Sequence, residues 1–314
     1  MLALRVLCPP GLSDELVHLL RAAPGATHLV RLPAAALDPA GDVIEADLAR
    51  ESVSDILTTL RSVPGSEACA FTLEDIETTI SHYAAQAERL APGQGVDAVV
   101  WEEVEARSGE EAALSVSFLT LLVIATLIAA VGILLDSSIL IVGAMVVGPE
   151  FGPVTGLTVA VVERRWGLAR RSLTALVVGF PLAALAALVL TLVVRATAGL
   201  PAAYAGEQRP LTQFISRPDG YALVVALLAG VAGVVALTSA KSGALVGVAV
   251  SVTTVPAGAD IGVAAAAGNW SECGGAAAQL AVNLVALVVA GALTLTARRG
   301  LAGRRHRVGP AARS

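Results

Sequence analysis

Ile139-Leu-Ile-Val-Gly-Ala-Met-Val-Val-Gly-Pro-Glu-Phe-Gly-Pro-Val-Thr-Gly156 is too apolar to leave a lipid bilayer, yet Pro149, Pro153, Glu150 and the glycines at 143, 148, 152 and 156 interrupt it. Proline removes a helical N–H and clashes with the preceding turn, so the expectation is a span broken or kinked at mid-depth. The spacing of Gly148, Gly152 and Gly156 suits close helix packing and by itself asks for nothing more. Packing does not need a carboxylate. An ionisable side chain at this depth is costly unless it is paired or faces a wet cavity, which makes Glu150 a candidate site residue, with Pro149, Gly152 and Pro153 shaping the break around it.

The rest of the chain fits this reading. Of its 314 residues 55% are hydrophobic and 15% charged, with a mean hydropathy of +0.75, values of a polytopic α-helical membrane protein. Charge divides it in two. Met1 to Glu105 carries 6 Arg and 17 Asp or Glu, a net −11, whereas the remainder is +6. The first residues have no basic n-region and Arg5 breaks their apolar run, so no secretory signal peptide is expected and the acidic part is expected in the cytosol. Its negative charge repels phosphate backbones, so nucleic acid is not an expected partner. Cys8, Cys69 and Cys273 form no Cys-x-x-Cys and the four histidines have no ligand spacing, so neither a disulfide framework, a metal site nor a cofactor is expected.

Strand and helix signals alternate through the acidic part: a strand over Leu2–Cys8, a helix from Ser13 to Ala22, strands over 26–32 and 43–49, a helix from Val53 to Val63 with Ser52 as N-cap, and a strand over 67–73. The βαββαβ order predicts a ferredoxin-like α+β domain over 1–75, an architecture that many unrelated functions share. A linker with a juxtamembrane helix (97–111) fills 76–113, the membrane domain 114–297 and a basic tail 298–314. Six apolar segments, 114–135, 137–162, 168–194, 221–239, 243–267 and 276–296, are each long enough to cross. Arg164, Arg165, Arg170, Arg171, Lys241 and the six tail arginines lie on one face, and Arg195, Arg209 and Arg217 on the other. That imbalance places both termini in the cytosol of a multi-pass protein of the cell (plasma or inner) membrane.

The second and fifth segments are alike. A shift of 104 residues superposes Ser138 on Ser242, Val142 on Val246, Gly143 on Gly247, Val146 on Val250, Ala160 on Ala264 and Trp166 on Trp270, and brings Pro149 and Pro153 near Pro256. Units of three spans must be inverted relative to each other, so a 3+3 inverted repeat with broken second and fifth spans is expected, and such paired breaks point to a midplane site. Asp260 lies beside the second break as Glu150 does beside the first. Asn283, Thr253 and Thr254 are weaker candidates, of the kind that more often bond between helices.

The stretches Ser115–Leu122, Ile128–Ser137, Ile141–Pro149 with Gly152-Pro153, Arg171–Leu173, Ser242–Ala249 and Asn283-Leu284 together resemble the hydrophobic membrane-protein family of bacteria and archaea called domain of unknown function 389. The resemblance carries no activity or substrate with it. It does imply an apolar residue at the Glu150 position in many members, so that a mechanism through Glu150 would belong to a subgroup.

The residues favour a transporter or channel-like protein for a small solute or ion, proton- or cation-coupled, with the lipid bilayer as its surroundings and room for a homo-oligomer. The alternative is a membrane-anchored sensor whose ferredoxin-like domain binds a small molecule. No Gly-x-Ser-x-Gly, His-Glu-x-x-His or phosphate loop argues for an enzyme.

Overall fold

The computed structural model describes residues 1–91, 100, 109, 112–205, 210–212, 215, 220–238 and 254–308, with side chains to 300. Part of the expected linker, most of the 97–111 helix, Thr253 and the first half of the fifth expected span lie outside the described residues. The chain folds as two compact units, one comprising Met1–Val104 and the other Glu105–Leu237 with Lys241–Arg304.

In the first unit β1 (Leu2–Cys8), α1 (Pro10–Ala22), β2 (Ala26–Leu37), β3 (Ala40–Leu48), α2 (Val53–Arg61) and β4 (Ala70–Asp75) are followed by α3 (His82–Leu90). The sheet order is β2-β3-β1-β4 and every neighbouring pair is antiparallel, the arrangement of a split β-α-β unit. Alternation puts Leu2, Leu4, Val6 and Cys8 of β1 on one side, where they pack with Leu16 and Leu20 of α1 and Leu57 and Leu60 of α2. Several expected boundaries move for local reasons. α1 begins at Pro10, whose fixed φ and missing N–H suit a first turn, three residues before the expected Ser13. Ser52 does not cap α2 with its side chain, because a 3-10 turn over Arg50–Ser52 leads straight into the helix. The last strand, expected over 67–73, starts and ends later, with Glu74 and Asp75 completing β4, and α3 lies within the expected linker.

The second unit is helical: α4 (Val116–Leu134), α5 (Ser138–Val147), α6 (Phe151–Glu163), α7 (Trp166–Thr197), α8 (Gly220–Leu237), α9 (Val255–Ala267) and α10 (Trp270–Val308), with a helical turn at Ala202–Ala205. Ser115 and Ser137 open α4 and α5 by accepting from the N–H groups of Phe118 (3.0 Å) and Leu140 (3.5 Å). α4, α7, α8 and α10 are each long and apolar enough to cross a membrane, and α5 with α6, bent by 57° at their break, would make a fifth span. Their polarity is arranged for lipid. Small residues such as Ala125, Ala129, Ala183 and Ala187 are buried between helices, while Ile139, Val177, Leu185, Leu228 and Leu293 are exposed on the outside.

Helix bounds recur at one spacing. α4 and α8 begin at Val116 and Gly220, α6 and α9 cover Phe151–Glu163 and Val255–Ala267, and α7 and α10 begin at Trp166 and Trp270, in each case 104 residues apart. Both 13-residue half-helices end in a left-handed residue, Arg164 (φ 56°) and Gly268 (φ 83°). Each turn that follows is closed by an equivalent bond, Arg165 N–H to Ala160 C=O and Asn269 N–H to Ala264 C=O, both 2.9 Å.

Candidate functional site

The break after α5 forms because Gly148 ends that helix and Pro149 cannot continue it. Glu150 follows as the residue before α6. Pro153 does not break anything: it is the third residue of α6, where a missing N–H has no helical partner to lose, and Gly152 beside it is buried in the same turn. Pro256 has the same place in α9, at its second position, so of the three expected break prolines only Pro149 interrupts a helix. The glycine row is likewise split, with Gly148 in the break and Gly152 and Gly156 in α6.

Glu150 is fully buried, and its Oε1 accepts a hydrogen bond of 2.8 Å from Thr254 Oγ1, the residue that precedes α9. The two residues are 104 positions apart, so the bond joins corresponding points of the two half-helices. The other ends of these helices are held elsewhere. Arg195, near the end of α7, donates from Nη1 to the Ala266 carbonyl at the end of α9 (2.9 Å), while Arg299 of α10 pairs with Glu163 at the end of α6, next to where α7 begins. Trp166 to Arg195 spans about 44 Å of α7, and each half-helix measures about 20 Å. Two helices that start together and finish at opposite ends of α7 lie nearly end to end, with their N-terminal ends meeting about halfway along it. At that level α7 carries Pro181, and Phe180 abuts Gly258 so closely that a Cβ there would come within 2.9 Å of the ring. Pro181 escaped the sequence reading, although a proline at the centre of an apolar run was the signal to heed.

The other expected site residues are distributed around this junction. Asp260 is buried in α9, six residues beyond Thr254, and its counterpart at the same spacing is Gly156, so the two acids do not occupy corresponding positions. Asn283 is fully buried on α10, where its Oδ1 accepts from Gln279 Nε2 at 3.2 Å; Gln279, also buried, was not anticipated. Thr155 and Thr158 on α6 turn their hydroxyls back onto the helix, to the carbonyls of Phe151, Gly152 and Val154.

Electrostatically, the junction faces two helix N-terminal ends at each other. Each leaves N–H groups without helical acceptors and carries a partial positive charge, so an anionic group between them is stabilised and a cation is not. Glu150 places a carboxyl group there from within the chain. Among the described residues no cluster of three or more His, Cys, Asp or Glu could hold a metal ion.

Comparison with known proteins places this region. Residues 145–289, which include the junction, match the model of the family described as Domain of unknown function (DUF389). This stretch is similar to that family. An uncharacterized protein of Methanocaldococcus jannaschii is 25% identical over 191 residues, 60% of this chain and 56% of that protein, so the match spans little more than half the length of the relative. No solved structure matches the chain. The DUF389 stretch thus carries the whole of α6, α7, α8 and α9 and most of the apolar part of α10 without bringing an assigned activity to them.

Proposed function

We propose that the chain is a membrane transporter or channel-like protein for a small solute or ion, built from two inverted three-span halves, in which Glu150 exchanges a proton where the half-helices meet. The observation that carries this reading is the Thr254–Glu150 hydrogen bond between corresponding positions. In a two-fold arrangement only residues near the axis can touch their own equivalents, and contacts away from it should occur in swapped pairs. Two such pairs support the inversion. Gly262 packs against Ala187, and Gly291 packs against Thr158, each contact being the other displaced by 104 residues in opposite senses. The Arg195–Ala266 and Arg299–Glu163 contacts repeat the pattern to within one residue. On this reading the fifth expected segment completes six spans, Arg299 and Glu163 lie on the cytosolic side with the arginine-rich connection, and Arg195 and Ala266 lie on the other.

Of the two couplings the sequence left open, the proton fits the junction better than a metal cation. Helix N-terminal ends oppose a cation, so the change of charge open to this site is the gain or loss of a proton by Glu150. Asp260 and Asn283 are assigned to the solute path beside it, and paired broken helices are where transporters place such paths.

The test is purified protein in liposomes containing a pH-sensitive dye, with a potassium diffusion potential imposed through valinomycin. Wild type is expected to carry protons at a rate unchanged when external sodium is replaced by choline, and Glu150→Gln is expected to reduce the rate at least tenfold while keeping the fold. Proton movement that follows sodium, or that survives in Glu150→Gln, overturns the proposal.

A further inference from the structure

β1 and β4 are antiparallel neighbours with Leu7 opposite Ala70, and Cys69, the extended residue just before β4, comes opposite Cys8 when that register is carried one step further. Both point to the same side of the sheet. Cys8 alternates with Leu2, Leu4 and Val6, Cys69 with Phe71 and Leu73, and all of them pack in one apolar cluster. Directly opposed residues of antiparallel strands have Cα atoms about 4.5 or about 5.5 Å apart, depending on the kind of pair. Either value lies within the roughly 4.4–6.8 Å that a disulfide spans. Both cysteines are free thiols, Cys8 buried and Cys69 partly exposed. Cys8 Sγ also lies 3.6 Å from Ser13 Oγ, whose hydroxyl donates to Asp42 at 2.6 Å, so its position is held from the helix side as well.

We infer that Cys8 and Cys69 form a cross-strand dithiol that is converted to a disulfide by exchange with a low-molecular-weight disulfide of the glutathione class. Cys69 is the entry point because it is the more exposed. Its thiolate attacks one sulfur of the small disulfide RSSR, forming Cys69–S–S–R and releasing RS⁻. Cys8 then gives up its proton, attacks Cys69 Sγ and expels the second RS⁻. The two cysteines lose two protons and two electrons, RSSR gains them, and two RSH leave. Burial first, and the neighbouring Cys8 thiol second, push the Cys69 thiol above the ordinary cysteine range. Its thiolate is therefore scarce at neutral pH, and the exchange accelerates as the medium becomes alkaline.

The inference is independent of transport, since it concerns only the amino-terminal unit. It is tested on the full chain in detergent micelles, incubated with oxidised glutathione, quenched with iodoacetamide and mapped by peptide mass. The expected product is one peptide containing Cys8 linked to one containing Cys69, lighter by two hydrogens than their sum, with Cys273 alkylated. A thiol reductant should reverse it, and its rate should rise with pH. In Cys8→Ser, Cys69 should stop as the mixed disulfide with glutathione. Alkylation of both Cys8 and Cys69 after prolonged incubation overturns the inference, as does a link that joins two chains or a wild-type Cys69 left as the mixed disulfide. The wild-type map decides the matter even where the variant fails to fold.

Discussion

Thr254 donates to a carboxyl oxygen that is fully buried, and removing the partner of a buried acceptor costs about 1–3 kcal/mol. Thr254→Val, nearly isosteric, is therefore expected to lower the thermal midpoint in detergent, whereas Thr155→Val, whose hydroxyl bonds only within its own helix among the contacts described, is expected to cost less than about 1 kcal/mol. Equal losses in the two variants would show that the cross-junction bond has no special weight. In the other unit, Asp42 accepts from Ser13, from the Ala34 N–H and from Arg31, and these bonds, Ser13 foremost, hold its carboxyl below the ordinary range against the opposing effect of burial. A carboxyl depressed in the folded state contributes stability that is fully present above the ordinary value of 3.8 and is lost as the pH falls through the depressed one. Amide exchange of β1 and β3 should accelerate over that acidic window in wild type and lose this dependence in Asp42→Asn. The sequence identified Glu150 because a lone acid in an apolar run is conspicuous, and it ranked Thr254 low because hydroxyl residues are common in spans. The offset of 104 residues, applied to Glu150 itself, lands on Thr254, so the partner was readable; that the two positions touch was not, because contact depends on both halves being folded.

At the scale of elements, the glycines separate close packing from mere occurrence. A Cβ on Gly262 would come within 2.2 Å of the Ala184 carbonyl oxygen and 2.7 Å of the Leu188 nitrogen, and backbone atoms cannot step aside. Gly143 has nothing within 4 Å of the same construction. Gly262→Ala is expected to destabilise by about 1–3 kcal/mol through forced separation of α7 and α9, and Gly143→Ala to be neutral or stabilising by up to about 1 kcal/mol. Thermal unfolding of both in one detergent checks the contrast, and a neutral Gly262→Ala would contradict the packing of α9 on α7. Element type and order were legible from period and punctuation: alternation gave β1, and Gly148-Pro149 gave the break. The role of Pro153 and Pro256 was not, because proline reads the same in a list of residues whether it ends a helix or begins one, and only the neighbouring N–H accounting distinguishes the two. The matched ends of α6 and α9 were half visible through Trp166 and Trp270, which mark the start of the following helices in both halves.

For the whole molecule, sidedness follows from which ends are tied together. The ion pair of Glu163 with Arg299 draws the arginine-rich connection and the carboxy-terminal part of α10 to one face, and Cys273, in the first turn of α10, belongs to the opposite end of that helix. A membrane-impermeant maleimide applied to intact cells is expected to label Cys273 and to spare Cys8 and Cys69; labelling of Cys69 with Cys273 spared would reverse the orientation. The end-to-end meeting of α6 and α9 was not legible in the sequence, since it rests on Arg195 and Arg299 reaching across to Ala266 and Glu163. The central claim is that protonation of Glu150 at that meeting point governs movement through the protein, and the most direct measurement is the pH dependence of proton flux for wild type and Glu150→Gln reconstituted side by side in liposomes at the same driving force. The account predicts a wild-type flux that changes with pH and a Glu150→Gln flux that is at least tenfold lower and flat across the same range; a Glu150→Gln protein, shown to be folded, that retains the wild-type rate and the wild-type pH profile would contradict it.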